Sequence, residues 1–543
     1  MPSNAQYDLL PRTSSDFDLD PTNEFKDKPR PRRRWGLARK FRRFCRICRP
    51  IYILVGLFIL LLWQVLFNAS YTNPPPFSIP HNEKVFIAAN IIDGDLITGT
   101  WGKSLVDLVQ LIGKDRVFVS IYGGPTHALE ELADKLECQT SLVSEELSPL
   151  DLDTIPRTML PTGESRIKRI AYLAEVRNKA LEPLQVSLTK FDKVLFINDV
   201  FYSAEDAARL LWGTNVDKSG KSVYKAACGT DFVSSWKFYD TFATRDSEGY
   251  SIGVPIYPWF ANEGDAISRK DVLAGRDAVR VKSCWGGMTA FDARYLQRDT
   301  SGFSISDGAG SKSSRSTGDV SHAGEVGPPK IPLRFRSEPE PFWDSSECCL
   351  VHADIMALPS LPDYPKTSSK WDTGIYMNPY VRVSYDATTQ KHIYIAKRFE
   401  RLFAIPQAII NHFAHMPVFN ARRAELEGEV IKDRLWVSLL NDTMDVELER
   451  SEKEFGGEES TWQGTGVERR AEETSKPVKR ETIGAQLGND YWLNKGYYVD
   501  YNRTAMRGAY CGVRQLLVVK EGKLKEGEGN WDNLLNELPP LGL

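Results

Sequence analysis

The sequence predicts an α/β protein built on a mostly parallel sheet with flanking helices, standing behind one N-terminal apolar helix. Three observations carry that prediction. Apolar runs of strand length end in polar residues, as where Val194, Leu195, Phe196 and Ile197 lead into Asn198 and Asp199, the pattern of a buried strand whose carboxyl end opens into a cleft. Segments with apolar residues at helical spacing alternate with these runs, which winds a parallel sheet with helices. The third is the distribution of charge and apolar residues near the amino end, taken up first below.

Residues 1–29 are polar and rich in Asp and Pro without a repeating apolar face, and read as a disordered tail. Ten arginines and lysines, from Arg30 to Arg49, then crowd one side of the apolar run 51–67, and no Lys or Arg follows until Lys84. That asymmetry predicts a single-pass anchor with a cytosolic basic tail (1–50) and everything after Phe67 across the membrane. A run of 17 residues is at the short limit for a span, suited to a thin early-secretory bilayer. A cleaved signal peptide is the competing reading, but some fifty residues precede the run and the exit at Asn68 and Ser70 is a poor cleavage site. The basic run abuts the span, so membrane orientation explains it better than nucleic-acid binding. The net charge of −3 decides nothing.

Residues 68–83, with Pro74, Pro75 and Pro76, are expected as a stiff stem that lifts the folded part off the bilayer. The main domain is expected at 84–448. Lys84–Asn90 and Arg116–Tyr122 read as the first two strands, with helices marked by Leu105, Leu108 and Val109 and by Ala128, Leu129 and Leu132. A helix around Ile170, Ala174 and Leu181 carries Arg177 and Asn178; the strand ending at Asp199 follows, then a helix from Ala204 to Trp212 and a strand from Lys225 to Phe232. Met288–Phe291 and Cys349–Asp354 supply later apolar segments. Between them 299–330 is Ser- and Gly-rich, expected as a mobile insertion; 449–485 reads as a charged linker and 486–543 as a C-terminal segment that packs back at a place the sequence leaves open.

Six cysteines (Cys138, Cys228, Cys284, Cys348, Cys349, Cys511) follow the apolar run, where an oxidising compartment lets disulfides persist, and no pairing is assigned. Cys45 and Cys48 form a lone CxxC, too little for zinc. Asn441 and Asn502 stand in glycosylation sequons consistent with the same side of a membrane.

Ligands of open α/β sheets bind outside the carboxyl ends of the strands, so Asp199 is placed to hold a divalent cation against a phosphate. The plainer alternative is that Asn198 or Asp199 caps the next helix, although Ser203 and Asp206 already have the spacing of a cap. Arg177 fits a charge-assisted contact to an anionic ligand or, as readily, an ion pair on its own helix. Asn90 ends the first strand, where it suits a nucleotide or a turn. His352 fits a metal ligand less well than a structural residue, and Trp285 could stack on a sugar or simply fill the core.

Eight motifs in order, FIAAN (86–90), AEVRNKAL (174–181), LFINDV (195–200), YDTFATRD (239–246), KSCWGG (282–287), RFRS (334–337), SECCL (346–350) and NPYVRV (378–383), resemble the fungal α-1,3-mannosyltransferase and capsule-associated protein family, glycosyltransferase family 69. The chain departs from the family pattern at Gly123-Gly124 and Gly286-Gly287, where relatives carry a polar side chain. The resemblance implies a GT-A-like fold, a GDP-mannose donor, a glycan acceptor, retention of anomeric configuration, and a Golgi membrane setting with the catalytic domain lumenal. It further implies Mn²⁺ or Mg²⁺ on Asp199, with His352 or Asp354 completing the shell. Asn90, Arg177, Asn178, Asn198 and Trp285 would then face the donor, with Glu347 and Asp354 near the sugar or acceptor. Asp231 and Asp246 share these blocks. A non-catalytic relative acting in capsule or cell-wall polysaccharide assembly or export is the alternative.

Overall fold

The computed structural model describes residues 50–67, 70–160, 164–298, 329–359, 364, 369–418, 420–438, 496–522 and 529–534. The expected cytosolic tail, nearly all of the 299–330 insertion, the 449–485 linker and Asn441 lie outside them.

The first half of the core is built as the sequence reads. Strands β1 (Val85–Ala89), β2 (Val117–Gly123) and β3 (Gln139–Ser144) pair in parallel, and β4 (Lys193–Ile197) joins β1 on its other side, also in parallel. The crossovers are helices α2 (Thr100–Ile112), α3 (Thr126–Lys135) and α4 (Arg169–Val186). Each buries an apolar face, Leu105, Leu108 and Val109 on α2 and Ala128, Leu129 and Leu132 on α3, which is what a period of 3.6 residues delivers to one side.

The second half is mixed. Helix α5 (Ala204–Trp212), capped by Ser203, leads to β5 (Ala226–Ser234). Beyond the short β6 (Arg245–Asp246), β7 (Val279–Ser283) and β8 (Met288–Asp292) complete the middle of the sheet with β9 (Ile375–Ser384). The strand order is β3-β2-β1-β4-β8-β5-β9-β7-β6. Strand β8 runs antiparallel between β4 and β5, whereas β5 and β9 are parallel. The expected mostly parallel sheet therefore holds for the first four strands and gives way to mixed pairing beyond them. The reason is the 284–287 turn, which carries the chain from β7 across to β8. It passes so close to β5 that a Cβ on Gly286 would lie 2.1 Å from the Gly229 carbonyl oxygen, and Gly286 and Gly287 have φ of 56° and 72°. Only glycine meets both demands. A disulfide between Cys228 on β5 and Cys284 fixes the same crossing.

The apolar segment at Cys349 is a helix, α6 (Glu347–Ala357), buried on every side from Glu347 to Ile355. The C-terminal segment covers it. Cys349 is bonded to Cys511, Gly512–Arg514 pairs with Trp343–Ser345, and Arg245 donates to the carbonyls of Tyr510 and Cys511. Asp354 sits inside this clasp, accepting from Nε and Nη2 of Arg336 at 2.9 and 3.0 Å and from Arg507 at 2.6 Å. Two residues back, His352 is fully buried, its Nδ1 2.6 Å from the Cys348 carbonyl and its ring beside Phe291.

At the amino end, α1 (Pro50–Phe67) has 18 residues, and its large apolar side chains from Tyr52 to Phe67 are largely exposed. Among the described residues no helix is long and apolar enough to cross a membrane, so the expected span appears as a helix and is not shown as an anchor. The stem departs from expectation. Ser70 donates to Glu400 at 2.6 Å, buried Tyr71 donates to the Val272 carbonyl, and Arg209 reaches the Pro75 carbonyl while lying over Phe77. Instead of projecting away, the segment is folded against the domain, because its aromatic residues find apolar partners there.

Two outcomes follow for stability. Burial lowers the His352 pKa to about 4 from 6.5. The unfolded chain therefore takes up this proton before the folded one does, and stability falls as pH drops from 6.5 toward 4, by on the order of 3 kcal/mol from this group. His352→Leu is expected to flatten that limb, read as the difference between the two proteins' denaturation midpoints across the window. Asp354→Ala removes the carboxylate that Arg336 and Arg507 share, leaving Arg507 its pair with Glu427, and is expected to cost about 3 kcal/mol in chemical denaturation.

Candidate active site

The cleft forms where β4 ends. Asn198 is held from three sides: its N–H donates to the Gly287 carbonyl at 2.9 Å, its carbonyl accepts from the Trp101 indole at 2.8 Å, and its side-chain oxygen accepts from the Trp285 indole at 3.0 Å. The helix that follows is capped by Ser203, whose hydroxyl accepts from the Asp206 N–H, which leaves Asp199 free of that duty. Asp199 is exposed at the mouth, yet protein hems it in. That crowding raises its carboxyl above the ordinary value; Arg177 opposes the rise and the nearby negative charge of Asp93 adds to it. Among the described residues, no other residue's side chain hydrogen-bonds to its carboxylate.

Arg177 is the hub of the site. Helix α4 places its guanidinium 2.9 Å from Glu347 Oε1 and over the ring of Trp285, 4.5 Å from the centroid, with Phe196 and Phe335 at 5.3 and 5.8 Å. Burial disfavours its charge, but the Cys348 sulfur, Glu347 and Asp199 outweigh that and raise its pKa. Glu347, buried as the first residue of α6, is thereby neutralised from inside the cleft wall. Asp199, Asn198, Arg177, Trp285 and Glu347 thus form one connected group at the end of β4.

The other residues singled out from the sequence do not face the cleft freely. Trp285 is nearly wholly buried, roofed by Arg177 and packed on Phe196, Phe291 and Phe335, so it has no open face for a sugar and acts on Asn198 instead. Asn178 is committed at both ends of its amide to the backbone of Phe335, at 2.9 and 3.0 Å, which makes it a clamp and not a donor contact. Asn90 donates to the carbonyls of Tyr122 and Val176, pinning α4 beside Arg177, while its buried Oδ1 has no protein partner. His352 and Asp354 lie one and two turns further along α6 than Glu347. Seven residues of helix separate Glu347 from Asp354, about 10 Å along the axis. The neutral buried imidazole and the doubly paired carboxylate offer nothing to a cation held by Asp199. Asp246 caps a turn through the N–H groups of Glu248 and Tyr250.

Several contributors were not singled out. Asp240 accepts from the Trp285 N–H at 3.0 Å and from Ala243 and Thr244, holding the 284–287 turn. Tyr385 donates to Asp231 at 2.9 Å and packs on Tyr239, ring centroids 4.6 Å apart, and both tyrosines feel the charge of Asp199. Burial, together with the charge of Asp240, pushes Asp231 up to about 7. Asp240 stood inside the YDTFATRD block; nothing local marks Tyr385.

Among the described residues no group of three His, Cys, Asp or Glu is arranged to hold a metal. The donor set fits a hard cation that takes one carboxylate from the protein and the remainder of its oxygens from a ligand's phosphates, the usual habit of Mg²⁺-class ions bound with nucleotides. Asp199 is the residue that would hold it.

The family described as Cryptococcal mannosyltransferase 1 matches residues 84–354, which hold every residue of this group. No curated protein sequence matches the chain. Among solved structures, glucosyl-3-phosphoglycerate synthase from Mycobacterium tuberculosis, solved with Mn²⁺, UDP and phosphoglyceric acid, is 10% identical, covers 67% of this chain and 89% of its own, and has a TM-score of 0.27. The mannosyltransferase PcManGT from Pyrobaculum calidifontis, solved with GDP-Man and Mn²⁺, is 12% identical, covers 67% and 74%, and also scores 0.27. At these scores the structural likenesses carry no argument, and the assignment rests on the family match: over residues 84–354 the chain belongs to the Cryptococcal mannosyltransferase 1 family of glycosyltransferases and is a hexosyltransferase.

Proposed function

We propose that the protein transfers mannose from GDP-mannose to a glycan acceptor in α-1,3 linkage with retention, on a GT-A-like fold, assisted by Mn²⁺ or Mg²⁺. The observation that carries this reading is the group at the end of β4: Asp199 exposed at the strand's mouth, Asn198 before it held by the Trp285 indole, and Arg177 lying over that same ring and paired with Glu347. A diphosphate leaving group gains negative charge as its bond to the sugar breaks, and a cation on Asp199 would supply the Lewis acid that meets it. The chain's own residues do the rest. Arg177 adds a fixed positive charge in a pocket whose aromatic walls keep its field unscreened. Glu347 sets the guanidinium plane, and Asn198, held by two indoles and Gly287, fixes where Asp199 begins. Attack from the face of departure needs no enzyme nucleophile.

The family description supports mannose as the sugar. Two disulfides and an exposed Asn502 in its sequon support a secretory compartment. A Golgi membrane, a single-pass type II arrangement through α1 and a lumenal catalytic domain belong to the same proposal. The non-catalytic alternative draws on the glycines at 123–124 and 286–287, but backbone crowding accounts for them. A Cβ on Gly123 would lie 2.3 Å from the Ile91 carbonyl oxygen, as one on Gly286 would meet Gly229.

Release of nucleotide from GDP-mannose, compared with UDP-sugars, tests the donor. Turnover is expected with GDP-mannose, to vanish with chelator and to return with Mn²⁺; metal-independent turnover would remove the cation from the reading. Asp199→Ala is expected to lower nucleotide release on the order of 10²–10³-fold with the denaturation midpoint unchanged, since the side chain is exposed. Release unaffected by that substitution would overturn the site assignment.

A further inference from the structure

Helix α7 (Ala404–Phe413) is turned inside out for a protein in water. Its inward face is polar: Gln407 and Asn411 are 0% and 4% exposed. Gln407 donates to the carbonyls of Val254, Trp259 and Phe260, and Asn411 accepts from the Val254 N–H at 2.7 Å. Its outward face is apolar. Ile405, Ile409, Ile410 and Phe413 are 72%, 51%, 45% and 77% exposed, at the spacing of one helical stripe. Val418 just beyond and Trp236, stacked on Phe403, extend the same surface. Contiguous exposed apolar surface of this kind marks an interaction site.

Charge and continuity say what covers it. From Ala387 to Val418 the only carboxylate is Glu400, buried against Ser70 and Arg382, whereas Lys391, Arg398 and Arg401 are exposed. The apolar α1 abuts this segment, since Gln64 donates to the Arg398 carbonyl at 3.3 Å, and the turn Glu400–Phe403 leads straight into α7. Apolar residues on the outward side, exposed basic residues on the segment leading into them and an aromatic edge describe an interfacial helix.

We propose that α7 is a second membrane contact, lying in the interface of a bilayer with its Ile405–Phe413 stripe among the acyl chains and Lys391, Arg398 and Arg401 on anionic headgroups. The inference deepens the membrane setting proposed above, yet the stripe is separate from α1 and can be tested apart from it. The full chain is reconstituted in vesicles of phosphatidylcholine with phosphatidylserine as the minor lipid. A benzophenone amino acid replaces Phe413, Leu60 on α1, or Leu188, which is 90% exposed elsewhere on the domain. Irradiation is expected to give a phospholipid adduct at 413 roughly tenfold or more above that at 188, the contrast between acyl boundary and water. An adduct at 413, with or without one at 60, supports the proposal. An adduct at 60 but not at 413 overturns it and leaves α1 as the sole anchor, and an adduct at neither overturns both. A chain-to-chain adduct at 413 in place of lipid overturns it in favour of a second copy. Ile409→Asp, an exposed position, is expected to bring the 413 adduct down to the level at 188; a yield that stays high would also overturn the proposal.

Discussion

The pairing of Arg177 with Glu347 is the constraint on which the cleft depends. It joins helix α4 to the first residue of α6 and presses the guanidinium onto Trp285, so three pieces of chain distant in sequence meet in one side chain. Such a pair is not bought for stability, because removing two charges from water costs about what their attraction returns. What it gives is position: a cation that cannot deprotonate, aimed across aromatic walls at the end of β4. The third side chain, Trp285, passes the constraint on to Asn198 and so to the backbone from which Asp199 projects.

Much of the first half of the fold was legible. Strands β1, β2 and β4 and their helices follow from apolar runs and helical spacing alone, and Asp199 could be placed at a strand's end before any coordinates. The antiparallel β8 was not legible, since its insertion between β4 and β5 depends on Gly286 fitting against Gly229 and Gly287 against Val383 and Val200, a tertiary fact. For the same reason the Gly286-Gly287 departure looked like a lost side chain when it is a space requirement.

Among the site residues, the errors share one cause. His352, Asp354 and Asn178 carry chemistry by type, but each is consumed by a structural partner that sequence proximity does not reveal: the Cys348 carbonyl, the pair Arg336 and Arg507, and the Phe335 backbone. Arg507 is 153 residues from the carboxylate it neutralises. Conversely, Asp240 and Tyr385 contribute through a turn and a strand whose meeting only the assembled sheet decides.

The folded-back stem has a mechanical consequence. Phe67 ends α1 and Ser70 is already buried against Glu400, so at most about 10 Å of extended chain joins them. A catalytic head on a long leash would sample substrates through a hemisphere; with α1 held in a bilayer, as proposed above, a link this short would leave no such slack, and acceptors would have to come to the cleft.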